Sequence, residues 1–381
     1  EEYAKQLNTS PDRKDPESYR KLRSIPRISA SNTEAFQAAL RLQLPIILTD
    51  APLVSSSCSR WTPEFLAHAF GSDRELTVYS SDSEYFRYWH RPHHSGGYPF
   101  RPPTEIIKMS FPEFVRKTAD ALRAKRAGEP HMLFYMQENL SSHPELASEF
   151  KSWDWKWLLN LVSTYGWGLP ESNSLFVGME GICTPVHFDD QENFFCQIRG
   201  RKDVFVYPPT DFSAFYPFPV NHACDRQSMV NVDNPDLDRF PNHRYARPHW
   251  AMLEEGDTMY LPGHWWHHFR NRDQHAMSIT FWSKQKPFNL ASFSIPLPER
   301  QLFCVRRNVE SLIQDAYGTE NLDRILSGIR NMLLNGSETN DGDGADAIAP
   351  SKCAAAYAQM RTLIAQVLPR DQIDDFISAM V

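Results

Sequence analysis

Between Ser174 and Trp282 the sequence is divided into short apolar runs, and this pattern limits the possible fold more than any other feature. The runs are SLFVGME, TPVHFDD, NFFCQIRG, DVFVYPP, TMYLP, HWWHHFRN and MSITFW. Proline and glycine separate many of them, no helical period lies between them, and a polar excursion (221–249) interrupts the series. Repeated short strands of this kind predict a sandwich or barrel, here of the jelly-roll type.

The flanks of this region have helical patterns instead. Upstream, FPEFVRKTADALRAKRAG predicts an amphipathic helix closed by Gly128. Downstream, apolar residues recur at helical spacing over 298–317 and 319–335, with Thr319 as an N-cap. The fold class predicted is therefore mainly β: a double-stranded β-helix (jelly-roll, cupin type) with flanking helices and an α-helical C-terminal region.

Changes in composition and the positions of proline and glycine divide the chain into segments. We predict a polar N-terminal segment (1–30), a main domain (31–297), a helical region (298–335), an acidic flexible linker (336–350) and a C-terminal helical extension (351–381). The linker assignment follows from NGSETNDGDGADAIAP, which is rich in acidic residues and glycine.

Charge and cysteine content exclude several classes of protein. The net charge of -7 does not indicate a general nucleic-acid binder. The six cysteines include no C-x-x-C pair, so neither a zinc finger nor a disulfide framework is expected. No apolar run approaches the roughly 18 residues that a membrane span needs. We expect a protein of a reducing compartment, cytoplasmic or nuclear, without membrane or nucleic-acid partners.

Polar residues interrupt one of the predicted strands in an unusual way. His187 and Asp189 lie two apart, so on a strand both side chains face the same way. An imidazole and a carboxylate on one face are two of the three ligands of a 2-His-1-carboxylate site, which binds Fe(II) and leaves open positions. Alone, an H-x-D pattern is common and has ordinary hydrogen-bonding roles, so a second histidine is needed from a distant strand.

The run LPGHWWHHFRN offers three candidates for that second histidine: His264, His267 and His268. Strand alternation places His267 on the same face as Trp265 and Phe269, which is the more apolar face. We therefore predict His267 as the third ligand.

Lys202 ends the stretch HFDDQENFFCQIRGRK, which begins at His187. Its position suggests a co-substrate. A buried cation without an anion is costly. An α-keto acid chelates a metal at one end and presents a carboxylate at the other, which a lysine can bind. The hydroxyl of Thr184 is placed to share that carboxylate. The alternative is that Lys202 is an ordinary lysine at a strand end.

Three longer stretches carry a family resemblance. They are GMEGICTPVHFDDQENFFCQIRGRK, YPFPVNHACDRQSMVNVDNPD with RFPN following, and GDTMYLPGHWWHHF. They resemble the JmjC-type 2-oxoglutarate dioxygenases, and among them the asparaginyl hydroxylases of the factor-inhibiting-hypoxia-inducible-factor type, from about Ile25 to Leu334. The H-x-D…H pattern belongs to many oxygenases, whereas the CDRQS…DNPD…RFPN pattern is specific to this group.

The resemblance implies Fe(II) as cofactor with 2-oxoglutarate and O2 as co-substrates. It implies these iron ligands: His187, Asp189 and His267. It implies these co-substrate residues: Lys202, Thr184, Tyr135, Asn193 and Thr280. It implies these substrate contacts: Tyr88, Gln137, Arg226, Gln227 and Trp282. Thr280 stands where the group usually has Asn, and Trp89 and His90 stand where it has Tyr-Asp, so the substrate groove differs from the group's pattern.

The implied activity is β-hydroxylation of Asn in transactivation-domain or ankyrin-repeat peptides, with CO2 and succinate as co-products, in hypoxia signalling. The alternatives are another JmjC oxygenase, a lysyl demethylase or an RNA-base hydroxylase, and an inactive peptide-binding module. We also expect a homodimer through the helices at 298–335, because a monomer exposing their apolar stripes would present a large apolar patch. The region after Asn335 is expected to be dispensable for pairing.

Overall fold

Two β-sheets form the centre of the structure, a computed structural model that describes residues 23–90, 101–220, 222–285, 297–318, 321–335 and 348–380. The minor sheet has the order β1-β11-β10-β13-β8 and the major sheet the order β2-β3-β12-β9-β14-β7-β6-β4-β5. Pairing is antiparallel except between β1 and β11 and between β2 and β3. The strands are β1 (Arg23–Ser24), β2 (Arg27–Ile28), β3 (Ile46–Leu48), β4 (Leu76–Ser81), β5 (Glu105–Met109), β6 (Leu133–Asn139), β7 (Pro170–Gly178), β8 (Cys183–His187), β9 (Glu192–Arg199), β10 (Lys202–Tyr207), β11 (His249–Leu253), β12 (Thr258–Leu261), β13 (Trp266–Asn271) and β14 (Ala276–Ser283).

The two sheets pack face to face. One buried cluster joins Val204 and Phe269 of the minor sheet to Phe195 and Met259 of the major sheet. The rings of Phe195 and Phe269 stack with centroids 4.4 Å apart. This is the cupin arrangement expected from the run of short strands, and every run quoted from Ser174 to Trp282 contains a strand.

Helices cover the outer face of the major sheet and continue beyond it. They are α1 (Thr33–Leu42), α2 (Ser55–Cys58), α3 (Pro63–Phe70), α4 (Phe111–Ala127), α5 (Ala147–Ser152), α6 (Trp155–Tyr165), α7 (Phe212–Phe215), α8 (Glu299–Tyr317), α9 (Leu322–Asn335), α10 (Pro350–Ile364) and α11 (Ile373–Met380). Helix α4 ends at Gly128, which has the left-handed conformation that glycine favours. None of the described helices has the length and apolarity that crossing a membrane requires.

The last four helices share a core of their own. The apolar faces of α8 and α9 pack on α10 and α11. Ile325 and Ile329 of α9 are fully buried together with Ala356 and Met360 of α10. The apolar stripes are therefore covered within a single chain by the C-terminal extension, and not left for a second copy to cover. Homodimerisation stays a prediction, but it now lacks the exposed apolar surface on which it was based.

Other expectations need correction or fall outside the described residues. Among the described residues, helices contain more residues than strands do. The prediction "mainly β" therefore describes the centre of the fold but not its overall secondary-structure content. Strands β1 and β2, at the end of the polar N-terminal segment (1–30), are extended and pair with the sheets. The excursion after residue 221 was expected to be polar up to His249, but β11 begins there. Thr319 and most of the acidic linker (336–347) lie outside the described residues.

Candidate metal and co-substrate site

His187, Asp189 and His267 lie together at the inner face of the minor sheet. They form a group that could hold a metal ion, with one ligand atom from each lying within 4.8 Å of the others. The two imidazole centroids are 4.1 Å apart, and His267 Nε2 is 3.8 Å from Asp189 Oδ2. The His187 Nδ1 atom bonds the Pro185 carbonyl, and His267 Nδ1 bonds the Trp265 carbonyl. Each imidazole therefore keeps Nε2 free as a metal donor.

A β-bulge in β8 sets the orientation of this group. His267 pairs with His187 and Phe269 pairs with Thr184, so three residues of β8 span the same length as two residues of β13. In a regular strand, residues three apart face opposite sides. The extra residue lets both Thr184 and His187 line the same cavity.

Burial and mutual charge keep the three side chains in the protonation states that a metal requires. Burial and the neighbouring His267 lower the pKa of His187 to about 3, and burial also lowers the pKa of His267. Burial opposes ionisation of Asp189, but His267, His187 and Arg226 overcome it and lower its pKa. Two neutral imidazoles and one carboxylate result, which is the donor set of the 2-His-1-carboxylate site.

Trp282 holds the carboxylate in place. Its indole Nε1 donates to Asp189 Oδ2 at 2.9 Å. A hydrogen bond of this kind fixes the orientation of a ligand and is part of most metal sites. Trp282 is therefore a positioning residue as well as part of the cavity wall.

A cavity of about 240 Å³ opens beside the His–Asp–His group, and Lys202 lies at its interior. The Lys202 side chain is 1% exposed, and no anion or hydrogen-bond acceptor among the described residues contacts its ammonium. The centroid of the Phe195 ring lies 5.3 Å from its Nζ. Burial alone lowers its pKa to about 7. The interpretation of Lys202 as an ordinary strand-end lysine is therefore not supported.

The other predicted co-substrate residues surround the same cavity. Thr184 and Tyr135 both line it, and burial raises the pKa of Tyr135, so its hydroxyl stays protonated and can donate. Asn193 Oδ1 is buried and has no partner among the described residues. Thr280 lines the cavity too, although its hydroxyl donates to the Ser174 carbonyl at 3.4 Å. A buried free cation and two hydroxyls fit an oxygen-rich anion that chelates a metal at its other end.

The predicted substrate residues are placed unequally. Tyr88, Gln137, Arg226 and Trp282 line the cavity. Gln227 does not: it is fully buried, and its Nε2 donates to the Tyr88 carbonyl at 2.7 Å. Here the structure differs from the expectation, because Gln227 lies behind Tyr88, where it positions that residue. A role in binding a substrate amide stays a prediction for it.

Sequence reasoning missed part of the wall and the backbone that supports it. Phe176 and Thr104 line the cavity, as do Trp89 and His90, which were noted only as departures from a pattern. Arg226 and His264 have positive φ values of 67° and 66°, which are unusual for residues other than glycine. The His264 amide donates to the Asp189 carbonyl at 2.7 Å. No signal in the sequence marks these conformations.

Comparison with known proteins gives a family and several relatives. Residues 32–288, more than half of the chain, match the family described as "Cupin-like domain". HSPB1-associated protein 1 from Homo sapiens is 33% identical over 143 residues, 37% of this chain and 29% of that protein. Lysine-specific demethylase 8 from Xenopus tropicalis is 35% identical over 105 residues, 28% of this chain and 23% of that protein. Lysine-specific demethylase JMJ30 from Arabidopsis thaliana is 32% identical over 117 residues, 31% of this chain and 27% of that protein.

These matches cover less than a third of each relative's length. They relate the chain to proteins named for lysine demethylation or for association with another protein. None of these three names refers to asparaginyl hydroxylation.

Proposed function

Because the chain belongs to the Cupin-like domain family, we propose that it is a JmjC-type oxygenase that uses Fe(II), 2-oxoglutarate and O2. The observation that carries the proposal is the presence, in one cavity, of the His–Asp–His group and a buried lysine without an anion. When bound, Fe(II) and 2-oxoglutarate supply the oxidation of a substrate C–H bond by O2, with succinate and CO2 as co-products.

The side chains of the protein bind and orient the metal and the co-substrate and limit the access of water. His187 and His267 present neutral nitrogen donors, and Trp282 holds the ionised Asp189 in place. Lys202 neutralises the far carboxylate of the co-substrate, and the hydroxyls of Tyr135 and Thr184 in the same cavity offer it hydrogen bonds. Aromatic side chains form much of the remaining wall and limit the entry of water.

One candidate substrate is an extended peptide that carries a neutral polar side chain. Asn is the preferred target residue, as in the asparaginyl hydroxylases that the sequence resembles. Arg226 lines the wall and disfavours a cation beside it, although Asp189 Oδ1 and Asp190 Oδ2, each 4.0 Å from its Nη1, offset part of its charge. Gln137 offers an amide on the same wall. An amide is selected by paired donors and acceptors, because leaving one unpaired is costly.

The second candidate is demethylation of N-methyl-lysine. The names of two relatives support it, and the comparisons favour it over asparaginyl hydroxylation. The rings of Tyr88, Trp282 and Phe176 could contact a methylated ammonium through cation–π interactions. In both candidates the partner is a peptide or protein, and the name of HSPB1-associated protein 1 agrees with a protein partner.

A matched pair of peptides separates the two candidates. The purified chain is incubated with Fe(II), 2-oxoglutarate, O2 and an extended ankyrin-type peptide carrying either Asn or N-methyl-lysine at one position. Mass spectrometry then detects addition of one oxygen to the first peptide or loss of a methyl group from the second. Asp189→Ala is the inactive control. Succinate formation with either peptide supports an oxygenase, whereas binding of both peptides without succinate would identify an inactive peptide-binding module.

A variant tests the charge argument. Arg226→Gln removes the cation and puts a shorter, neutral amide in its place. If Arg226 selects against cations, this variant should gain turnover of the methyl-lysine peptide relative to the Asn peptide. An unchanged ratio of the two rates would remove Arg226 from the explanation of substrate choice.

A further inference from the structure

A second cluster of metal-ligating side chains lies on the outer face of the minor sheet. Cys183, Asp233 and His268 each offer one ligand atom, and these atoms lie within 4.8 Å of one another. Cys183 and His268 belong to β8 and β13, the neighbouring strands that carry His187 and His267 on their inner face. From this geometry we propose that the cluster is a binding site for a soft divalent cation, Zn²⁺ foremost, separate from the oxygenase centre.

The imidazole of His268 is prepared for a metal in the same way as the two inner histidines. Its Nδ1 bonds the Thr184 carbonyl at 3.0 Å. Donating one ring N–H to a backbone carbonyl fixes the tautomer and leaves Nε2 as the free donor, as is usual for metal-bound histidine.

Cys183 lies beside the His268 ring. Its Sγ is 3.3 Å from Nδ1 and 3.4 Å from Nε2, so sharing a metal with Nε2 requires rotation of the thiol side chain. Two ligands of one tetrahedral zinc, with bonds of about 2.1 Å to nitrogen and about 2.3 Å to sulfur, lie about 3.6 Å apart. Cys183 is buried and forms no disulfide. A thiolate ligand selects zinc over the oxygen-preferring ions.

Asp233 completes the cluster and is already oriented. Its Oδ2 accepts from the Tyr85 hydroxyl and from Arg270 Nη2, whereas no protein donor to its Oδ1 is recorded among the described residues. Those bonds fix the orientation of the carboxylate through Oδ2, as supporting groups do in metal sites. A dication with one thiolate and one carboxylate has no net formal charge. Arg270 can therefore keep its ion pair with Asp233 when a metal binds.

Cobalt reports this site without interference from the oxygenase centre. Co²⁺ bound to a thiolate has a strong charge-transfer band in the near ultraviolet, and the His187–Asp189–His267 group contains no sulfur. Titration of the chelator-treated full chain should produce this band, with saturation by two equivalents because the oxygenase centre also takes up Co²⁺, and Zn²⁺ should abolish it. Asp189→Ala should retain the band, so the outcome is independent of the proposed function.

Variants assign the band to its ligands. Cys183→Ser should abolish it, and Cys58→Ser, a half-buried cysteine outside the cluster, should not. Asp233→Asn, at an exposed position, should weaken Co²⁺ binding by at least tenfold, since loss of a merely supporting group already costs about 10–100-fold. It also provides the test if Cys183→Ser does not fold. Absence of a thiolate band in the parent chain, or unchanged Co²⁺ binding by Asp233→Asn, would overturn the proposal.

Discussion

Replacing Lys202 by methionine should stabilise the ligand-free protein and at the same time disable it. Methionine has a similar length and no charge, so it fills the site without the cost of burying a cation. Burial lowers the lysine pKa from its ordinary 10.5 to about 7. The difference of 10.5 − 7 = 3.5, at about 1.36 kcal/mol per pKa unit, corresponds to about 5 kcal/mol of folding free energy. This value is the upper bound of the gain.

The sign of the effect gives it a characteristic pH dependence. The folded state binds the lysine proton more weakly than the unfolded state, so the charge destabilises the fold. The full cost is present below about pH 7 and disappears as the pH rises to 10.5. The gain from Lys202→Met should therefore be up to about 5 kcal/mol at pH 6 and about 2 kcal/mol at pH 9. Chemical denaturation of the chelator-treated protein measures both values.

Co-substrate binding should change in the opposite direction. Loss of a charge-assisted contact costs roughly 1.5–3 kcal/mol, or about ten- to more than a hundredfold in affinity for 2-oxoglutarate. Calorimetric titration of the metal-loaded protein measures it, with Lys151→Met, an exposed lysine of α5, as the matched control. A Lys202→Met variant that is no more stable than the parent, or that binds 2-oxoglutarate equally well, would refute the reasoning.

The remaining predictions concern the metal group and the C-terminal helices. His187→Ala and Asp189→Ala should abolish succinate formation while circular dichroism stays unchanged; turnover near the parent rate would remove them from the metal site. Because burial lowers the pKa of His187 to about 3, metal occupancy should not fall as the pH drops through 6.5, and a loss centred there would contradict the burial argument. Trp282→Phe should weaken metal binding about 10–100-fold in a chelator-competition assay. Unchanged affinity would show that the hydrogen bond from Trp282 to Asp189 does not contribute to metal binding. A chain ending at Asn335 should self-associate in light scattering, because each apolar side chain uncovered on α9 loses about 1.5–3 kcal/mol of burial; a stable monomer would contradict this.

The sequence pattern predicted most strands of the two sheets and the three residues of the metal group, because apolar runs and local alternation mark them, but it missed β11. His267 was chosen over its neighbours from the apolar face of one strand, and the structure brings it to His187 and Asp189. The C-terminal cover of α8 and α9 was not predictable in this way. An apolar stripe shows that a helix is covered, but its period does not identify the covering segment.

The bulge and the placement of Gln227 show the same limit. Strict alternation would have turned Thr184 away from His187, and only the register with β13 shows the extra residue. Gln227 was assigned by position in a resembling pattern, whereas its place behind Tyr88 depends on the fold of the loop that carries it. Both are consequences of tertiary context, which a single chain's local pattern does not contain.

Helix α8 belongs to two cores at once. Phe303 packs against Phe188 and Trp266 of the barrel, whereas Val309 and Ile313 lie in the core of the C-terminal helices. Arg307 extends from the same helix to Asp225, the residue before Arg226 in the cavity wall. Such sharing couples the two units, so they should melt as one cooperative transition and not as independent domains. A protease that removed α8 would therefore take with it part of the support of the substrate cavity.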